Sequence, residues 1–97
     1  MTHEVTIKQI REVKNSKQLV ATADVNIDSI IHKGFKILLS TEHNSYWVAN
    51  PQSEVSGKFY DMIEFLDWEL EQDVKAKIIS AYQKMLQSRT VIPETAE

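Results

Sequence analysis

The side chains best able to take part in catalysis or metal binding are carboxylates clustered between residues 61 and 73, with no basic residue among them. Paired carboxylates act as general acid and base when a cleft separates their pKa values, and alternating oxygen ligands can hold calcium. Nothing here predicts a dry cleft, and no glycine is present to form the turn of a calcium loop. The cluster is instead typical of a solvated helix start. Its members are Asp61, Glu64, Asp67, Glu69, Glu71 and Asp73.

The other groups that could support catalysis or bind a metal form no recognisable motif. His3, His32 and His43 make neither a His-x3-His pair nor an HExxH motif, and the chain has no cysteine. Gly34 and Gly57 are too far apart for a phosphate-binding loop, and no serine stands in a nucleophile elbow. The sequence therefore predicts no metal site, no cofactor, no small-molecule substrate and no enzymatic activity.

Lysines and aromatic residues in the first two thirds of the chain could form a nucleic-acid-binding surface. Aromatic rings on strands can stack on single-stranded bases, and lysines can pair with phosphates. Neighbouring positions on a strand face opposite sides, so Tyr46 and Trp47 cannot both lie on one face, and neither can Phe59 and Tyr60. Structural packing of these rings is the alternative. The lysines in the first half of the chain are Lys8, Lys14, Lys17, Lys33 and Lys36.

Length and charge describe one small domain of 97 residues with a net charge of -3. Residues 1–50 carry six bases against five acids, or +1, and residues 51–97 carry five bases against nine acids, or -4. No apolar run approaches the roughly 20 residues that span a bilayer, and the first residues do not resemble a signal peptide. These features predict a cytoplasmic protein with no membrane attachment.

Hydrophobic periodicity predicts an α+β fold, in which an antiparallel meander of four to five strands precedes one long amphipathic helix. Alternation is broken near Ile10, which predicts a bulge in the first strand, and Asn15 supplies a tight turn. In the second strand, Leu19, Ala21, Ala23, Val25 and Ile27 are predicted to face the core, whereas Val20, Thr22, Asp24, Asn26 and Asp28 face the other way.

A change in period to about 3.6 predicts the helix near residues 67–87. Asp67 is its predicted N-cap, and two ion pairs are expected four residues apart, Glu71 with Lys75 and Asp73 with Lys77. The predicted apolar stripe is Leu66, Leu70, Val74, Ile78, Tyr82 and Met85, widened by Trp68, Ile79 and Leu86.

The predicted domain covers residues 1–88, and residues 89–97 are predicted to form a flexible C-terminal tail. A single helix covers only part of such a sheet, and the sheet has an unpaired edge strand. A second copy of the chain would bury what remains exposed. The sequence therefore predicts a homodimer.

Two short motifs carry a family resemblance. Residues 46–51 read Tyr-Trp-Val-Ala-Asn-Pro, and residues 57–61 read Gly-Lys-Phe-Tyr-Asp. This order resembles the stage V sporulation protein G (SpoVG) family, whose members typically carry Phe-Val-Ala-Met-Pro-Ser and then Gly-x-Phe-x-Asp. Weaker similarity extends over residues 5–86. The resemblance implies a homodimeric, non-enzymatic regulator that binds DNA or RNA, in a family named for effects on sporulation and division septum formation.

One departure from the family bears on this function. Family members usually carry an arginine near the helix start, and counting from Asp61 without a gap places Glu71 there. A carboxylate at that point should repel nucleic acid, so Glu71→Arg is expected to raise the affinity if the rest of the surface is intact.

Two hypotheses follow. The first is a SpoVG-like dimeric regulator that binds DNA or RNA. Its candidate contacts are Lys14, Lys17, Lys33, Lys36, Lys75 and Lys77. The alternative is a protein-interaction module that has lost nucleic-acid binding, with its contacts at Trp68, Glu69 and Glu71.

Overall fold

A computed structural model describes the backbone of residues 3–95 and the side chains of residues 3–88. These residues form an α+β fold of two antiparallel sheets and one C-terminal helix, which confirms the predicted fold class. The strands are β1 (Val5–Glu12), β2 (Leu19–Ile27), β3 (Ile30–Ser40), β4 (Ser45–Ala49), β5 (Gln52–Val55) and β6 (Lys58–Asp61), and the helix is α1 (Trp68–Thr95).

Strands β1 to β4 form the predicted meander in the order β1-β2-β3-β4. Its turns use residues that tolerate positive φ. Asn15 has φ of 65°, as the sequence predicts for a left-handed turn residue. Asp28 and Ser29, with φ of 49° and 73°, connect β2 to β3 as a two-residue turn whose twist matches that of the strands.

The remaining strands form a separate hairpin. Pro51 ends β4 because a proline has no N–H to continue the ladder, and its carbonyl accepts the N–H of Met62 at 2.7 Å. Strands β5 and β6 then pair only with each other among the described residues. Ser56 and Gly57 close this hairpin with positive φ at both positions. Strand β6 therefore lies outside the meander.

The core lies between one face of the meander, here called the inner face, and α1. Buried residues of β2 and β3 meet Val74, Ile78 and Tyr82 of the helix. The Tyr82 ring packs edge-on against Tyr46, with 5.2 Å between ring centroids. The buried sheet residues are Val5, Ala21, Ala23, Val25, Ile27, Phe35, Ile37 and Val48. The opposite face of the meander is called the outer face.

The ends of α1 differ in part from the prediction. Asp67 is the N-cap as predicted, since its Oδ1 accepts the N–H groups of Glu69 at 2.9 Å and Leu70 at 3.3 Å. Leu66 precedes this cap and is 95% exposed, and Trp68 in the first turn is 70% exposed, so the predicted places of both in the buried stripe are wrong. The helix also continues to Thr95, so residues 89–95, predicted as a tail, are helical. Ala96 and Glu97 lie outside the described residues.

The largest departure on the sheet is Asp24, which was predicted to face solvent but is only 3% exposed. It does point away from α1, yet Arg11 of the neighbouring strand reaches it, with Nη2 3.1 Å from Oδ2. Bulges in both neighbouring strands flank this position. The register of β1 shifts between Ile7 and Gln9, as the sequence predicts, and the β2–β3 register shifts beside Gly34, whose φ is +93°.

Removal of the Arg11 side chain should destabilise the fold. In Arg11→Ala the buried Asp24 carboxylate loses its charged partner, and its Oδ1 has no hydrogen bond in the structure. We expect the free energy of unfolding to fall by about 1–3 kcal/mol in urea titrations. The double variant Arg11→Ala/Asp24→Asn should recover part of that loss. Lys8→Ala, an exposed position on the same strand, is the control, and an equal loss there would contradict this assignment.

Candidate nucleic-acid interface

Two basic residues lie in one row on the outer face. Arg11 is opposite Thr22, Thr22 is opposite Lys36, and Lys36 is opposite Ala49. Neighbouring strands are about 5 Å apart, so the backbones at Arg11 and Lys36 are about 10 Å apart. The row therefore carries two cations on the side of the sheet that faces away from α1.

An exposed indole lies beside this row. Trp47 pairs with Leu38 across β3 and β4, two residues along from the pair of Lys36 with Ala49. Because side chains alternate along a strand, Trp47 and Lys36 share the outer face. The indole is 51% exposed, whereas the neighbouring Tyr46 packs on the inner face. The two aromatic side chains therefore lie on opposite faces of the sheet, as expected, with Trp47 on the outer face.

Lys36 also ties the second sheet to the meander. Its Nζ lies 3.2 Å from Gln52 Oε1 and 4.9 Å from the centroid of the Phe59 ring. Gln52 in turn donates from Nε2 to Asp61 Oδ1 at 2.9 Å. These contacts hold Phe59, which is 59% exposed, next to Lys36. A second accessible ring therefore lies near the same cation.

The loop between β1 and β2 carries two more candidate lysines. Lys14 and Lys17 are exposed, and the loop lies against the end of β3, where the carbonyl of Gln18 accepts the N–H of Leu39 at 2.8 Å. Lys33 is exposed at the bulge of β3, beside Gly34. The structure thus places four of the six predicted lysines on the meander.

The other two lysines belong to a different part of the molecule. Lys75 Nζ lies 3.0 Å from Glu71 Oε2, and Lys77 Nζ lies 3.0 Å from Asp73 Oδ2. Both ion pairs are those that the sequence predicts. Because α1 covers the inner face, these lysines are separated from the outer-face row and are balanced by carboxylates.

The structure also shows a pocket that sequence reasoning missed. It has a volume of about 190 Å³ and opens beside the Trp47 indole, where the β1–β2 loop meets the turn between β3 and β4. Periodicity carries no signal for it, since its polar residues come from two loops that meet only in the folded chain. The lining residues are Gln18, Leu38, Leu39, Ser40, Thr41, Glu42 and Trp47.

The residues of the alternative site lie at the start of α1. Trp68 is 70% exposed and Glu69 is exposed, whereas Glu71 is partly covered and paired with Lys75. With Met62 and Leu66, Trp68 makes an exposed apolar set just before and at the helix start. This set, Met62, Leu66 and Trp68, is called the apolar segment.

A histidine links the helix start to the sheet. His3 Nδ1 donates to Asp28 Oδ2 at 2.6 Å, and its Nε2 lies 3.8 Å from Asp67 Oδ2. The hydrogen bond from His3 and a second from the N–H of Glu4 hold the pKa of Asp28 below its ordinary value of 3.8. A carboxylate with a lowered pKa stabilises the folded state above that ordinary value, and the contribution is lost as the pH falls through the folded pKa.

The histidine contact predicts a measurable titration shift. In His3→Ala, the pKa of Asp28 should rise toward 3.8, because the largest cause of its lowering is removed. A carboxyl-carbon NMR titration measures this directly. His43→Ala is the control and should leave the pKa of Asp28 unchanged, since His43 lies in the distant β3–β4 turn. An unchanged value in His3→Ala would contradict the contact.

Comparisons with known proteins add no family assignment. No family model matches this sequence, and no curated protein matches it significantly. The SpoVG resemblance therefore remains a prediction based on the motifs quoted above.

Over residues 3–95, no helix has both the length and the apolar character needed to cross a membrane. Among the side chains of residues 3–88, no three histidine or acidic groups lie closely enough together to hold a metal ion.

Proposed function

We propose that this protein is a homodimeric, SpoVG-like regulator that binds DNA or RNA through the outer face of its meander. The observation that carries this proposal is the combination of Lys36 and the exposed Trp47 on one face, with α1 on the other. Arg11 lies in the same row but is ion-paired with Asp24. Cations and an accessible aromatic ring on a sheet are the features by which single-strand-binding sheets hold phosphates and bases. By resemblance, the regulated processes are sporulation and septum formation.

The charge distribution supports the outer face rather than the helix. The net charge of -3 alone disfavours binding to a polyanion. However, Glu69, Glu71 and Asp73 lie on α1, across the sheet from Lys36 and Trp47. Their repulsion of a strand on the outer face is weakened by distance and by salt screening. Consequently Glu71→Arg is expected to raise affinity strongly for a helix site and only slightly for an outer-face site.

A salt titration tests the proposal. Fluorescently labelled random pools of single-stranded DNA, duplex DNA and RNA are titrated with protein at several salt concentrations. Phosphate contacts predict binding that weakens steeply as salt increases, because bound counterions are released. An absence of binding to every pool at low salt would contradict nucleic-acid binding.

The second candidate function is protein recognition through the apolar segment. Leu66 is 95% exposed and Trp68 70%, which is unusual for large apolar side chains so close in sequence. The apolar segment with the neighbouring Glu69 and Glu71 suits a partner that offers an apolar groove with basic edges. In the double variant Leu66→Ser/Trp68→Ser, a protein-interaction module should lose its partner and keep the fold, whereas nucleic-acid binding at the outer face should be unaffected.

Dimer formation is expected because the edge strands of the meander are not covered by another part of the described chain. Strands β1 and β4 each pair with a single neighbour among the described residues, so each presents an open edge. We expect light scattering to give twice the 11.2 kDa mass of one chain at micromolar concentration. A mass of 11.2 kDa at that concentration would contradict the dimer.

A further inference from the structure

We infer that the pocket beside Trp47 binds one unstacked base of a single strand and that Glu42 makes it prefer cytosine to thymine or uracil. This inference rests on the proposed function and specifies its ligand. The pocket is named the base pocket, with the lining given above.

The shape of the base pocket suits a planar ring. One wall is the half-exposed Trp47 indole, and Leu38 lies directly opposite it on the neighbouring strand. The volume of about 190 Å³ is below the 300–1,000 Å³ usual for extended small-molecule ligands. A single heterocycle that stacks on the indole fits such a space, because every base has a π-face.

The polar groups of the base pocket can distinguish between bases. Gln18 offers both a donor and an acceptor, and the hydroxyls of Ser40 and Thr41 can act as either. Glu42 when ionised only accepts. Cytosine presents an amino group at the position where thymine and uracil present a carbonyl oxygen, so a carboxylate attracts the first and repels the others.

The turn that carries Glu42 is held in place by its own hydrogen bond. The N–H of His43 donates to Ser40 Oγ at 3.3 Å, and Asn44 follows with a positive φ of 52°. The other side of the pocket is fixed by the bond between Leu39 and Gln18. The backbone on both sides of the pocket is therefore held in place before a ligand arrives, which reduces the entropy lost on binding.

The surroundings favour a single strand over a duplex. A paired base is stacked and hydrogen-bonded inside the helix, so it cannot enter a pocket beside an indole without being extruded. Lys17 directly precedes Gln18, and Lys36 lies diagonally from Trp47 on the outer face. We assign the phosphates that flank the bound base to these two cations.

Tryptophan fluorescence provides the direct test. In Trp68→Phe, Trp47 is the only tryptophan, and oligocytidine should quench its emission because a stacked base quenches an indole. Trp47→Phe retains only Trp68 and should show no quenching. Oligocytidine should bind about tenfold more tightly than oligothymidine of equal length, since one specific pairing distinguishes them. Circular dichroism verifies that both variants fold.

The base preference is tested with matched carboxylate variants. Glu42→Gln should bring the two oligonucleotide affinities close together, because an amide can donate to the thymine oxygen. Glu54→Gln removes the same charge from an exposed position on β5 and should keep the preference.

The outcomes separate this inference from the proposed function. Salt-dependent binding without Trp47 quenching, or a cytosine preference that survives in Glu42→Gln, would overturn the base pocket and leave the outer-face proposal standing. Failure of wild-type protein to bind any oligonucleotide at low salt would overturn both. Quenching confined to Trp47, with a preference lost only in Glu42→Gln, would support the base pocket.

Discussion

Replacing Phe35 with alanine is expected to lower the free energy of unfolding by about 3–5 kcal/mol. Phe35 is fully buried and is among the largest fully buried side chains. It lies opposite Ala23 on β2, and its ring centroid is 6.4 Å from that of Phe65. Because Ala23 cannot fill the space, truncation would leave a cavity between the inner face and the segment that leads into α1.

Urea unfolding monitored by circular dichroism measures this loss, with Phe59→Ala as the control. Phe59 is 59% exposed and contacts Lys36 from the surface, so its removal should cost less than about 1 kcal/mol. Similar stability of Phe35→Ala and wild type would mean that the inner face is not packed as described. Since small domains have only about 5–15 kcal/mol of stability, the Phe35 variant should be partly unfolded at physiological temperature.

Removing the two cations assigned to the flanking phosphates is expected to weaken nucleic-acid binding by about tenfold at low salt. The double variant Lys17→Gln/Lys36→Gln removes both of these phosphate partners. The slope of log affinity against log salt should also decrease in magnitude by about 1.4, which is about 0.7 for each lysine on a single strand. Fluorescence anisotropy with a labelled single strand gives both quantities.

The helix provides a control with the same change in net charge. Lys75→Gln/Lys77→Gln also removes two positive charges, but these lysines are paired with Glu71 and Asp73 on the far side of the sheet. Their loss should reduce affinity less than threefold, through the long-range field alone. Equal losses in the two double variants would show that only net charge matters, and a larger loss in the helix variant would place the site on α1.

Elements with a strong local pattern could be predicted from the sequence. In β2 every second residue is apolar, and in α1 Val74, Ile78 and Tyr82 recur at helical spacing. Each pattern shows directly which face of the element is buried. The Asp67 cap and both helix ion pairs were also predictable, because they involve only residues within one turn of each other.

Features that depend on contacts between distant segments could not be predicted. Asp24 alternates as a solvent-facing residue does, and only the pairing of β1 with β2 brings Arg11 over it. Leu66 continues the helical spacing, but the helix begins only after the N-cap Asp67, so Leu66 lies outside it. The same limit applies to the candidate site. The sequence supplies its lysines and aromatics, whereas the base pocket arises where two loops meet.

The buried pair of Arg11 and Asp24 bears on how the strands find their correct alignment during folding. Bulges on both sides of Asp24 already shift β1 and β3 by one residue relative to β2. Pairings shifted by one residue are therefore close in free energy to the native pairing. A one-residue slip of β2 turns each of its side chains to the opposite face of the sheet and would bring the Asp24 carboxylate to the inner face. Such a state would bury an unpaired charge in an apolar core. The pair therefore selects one alignment by making its neighbours unfavourable, even if it adds little to the stability of the correct one.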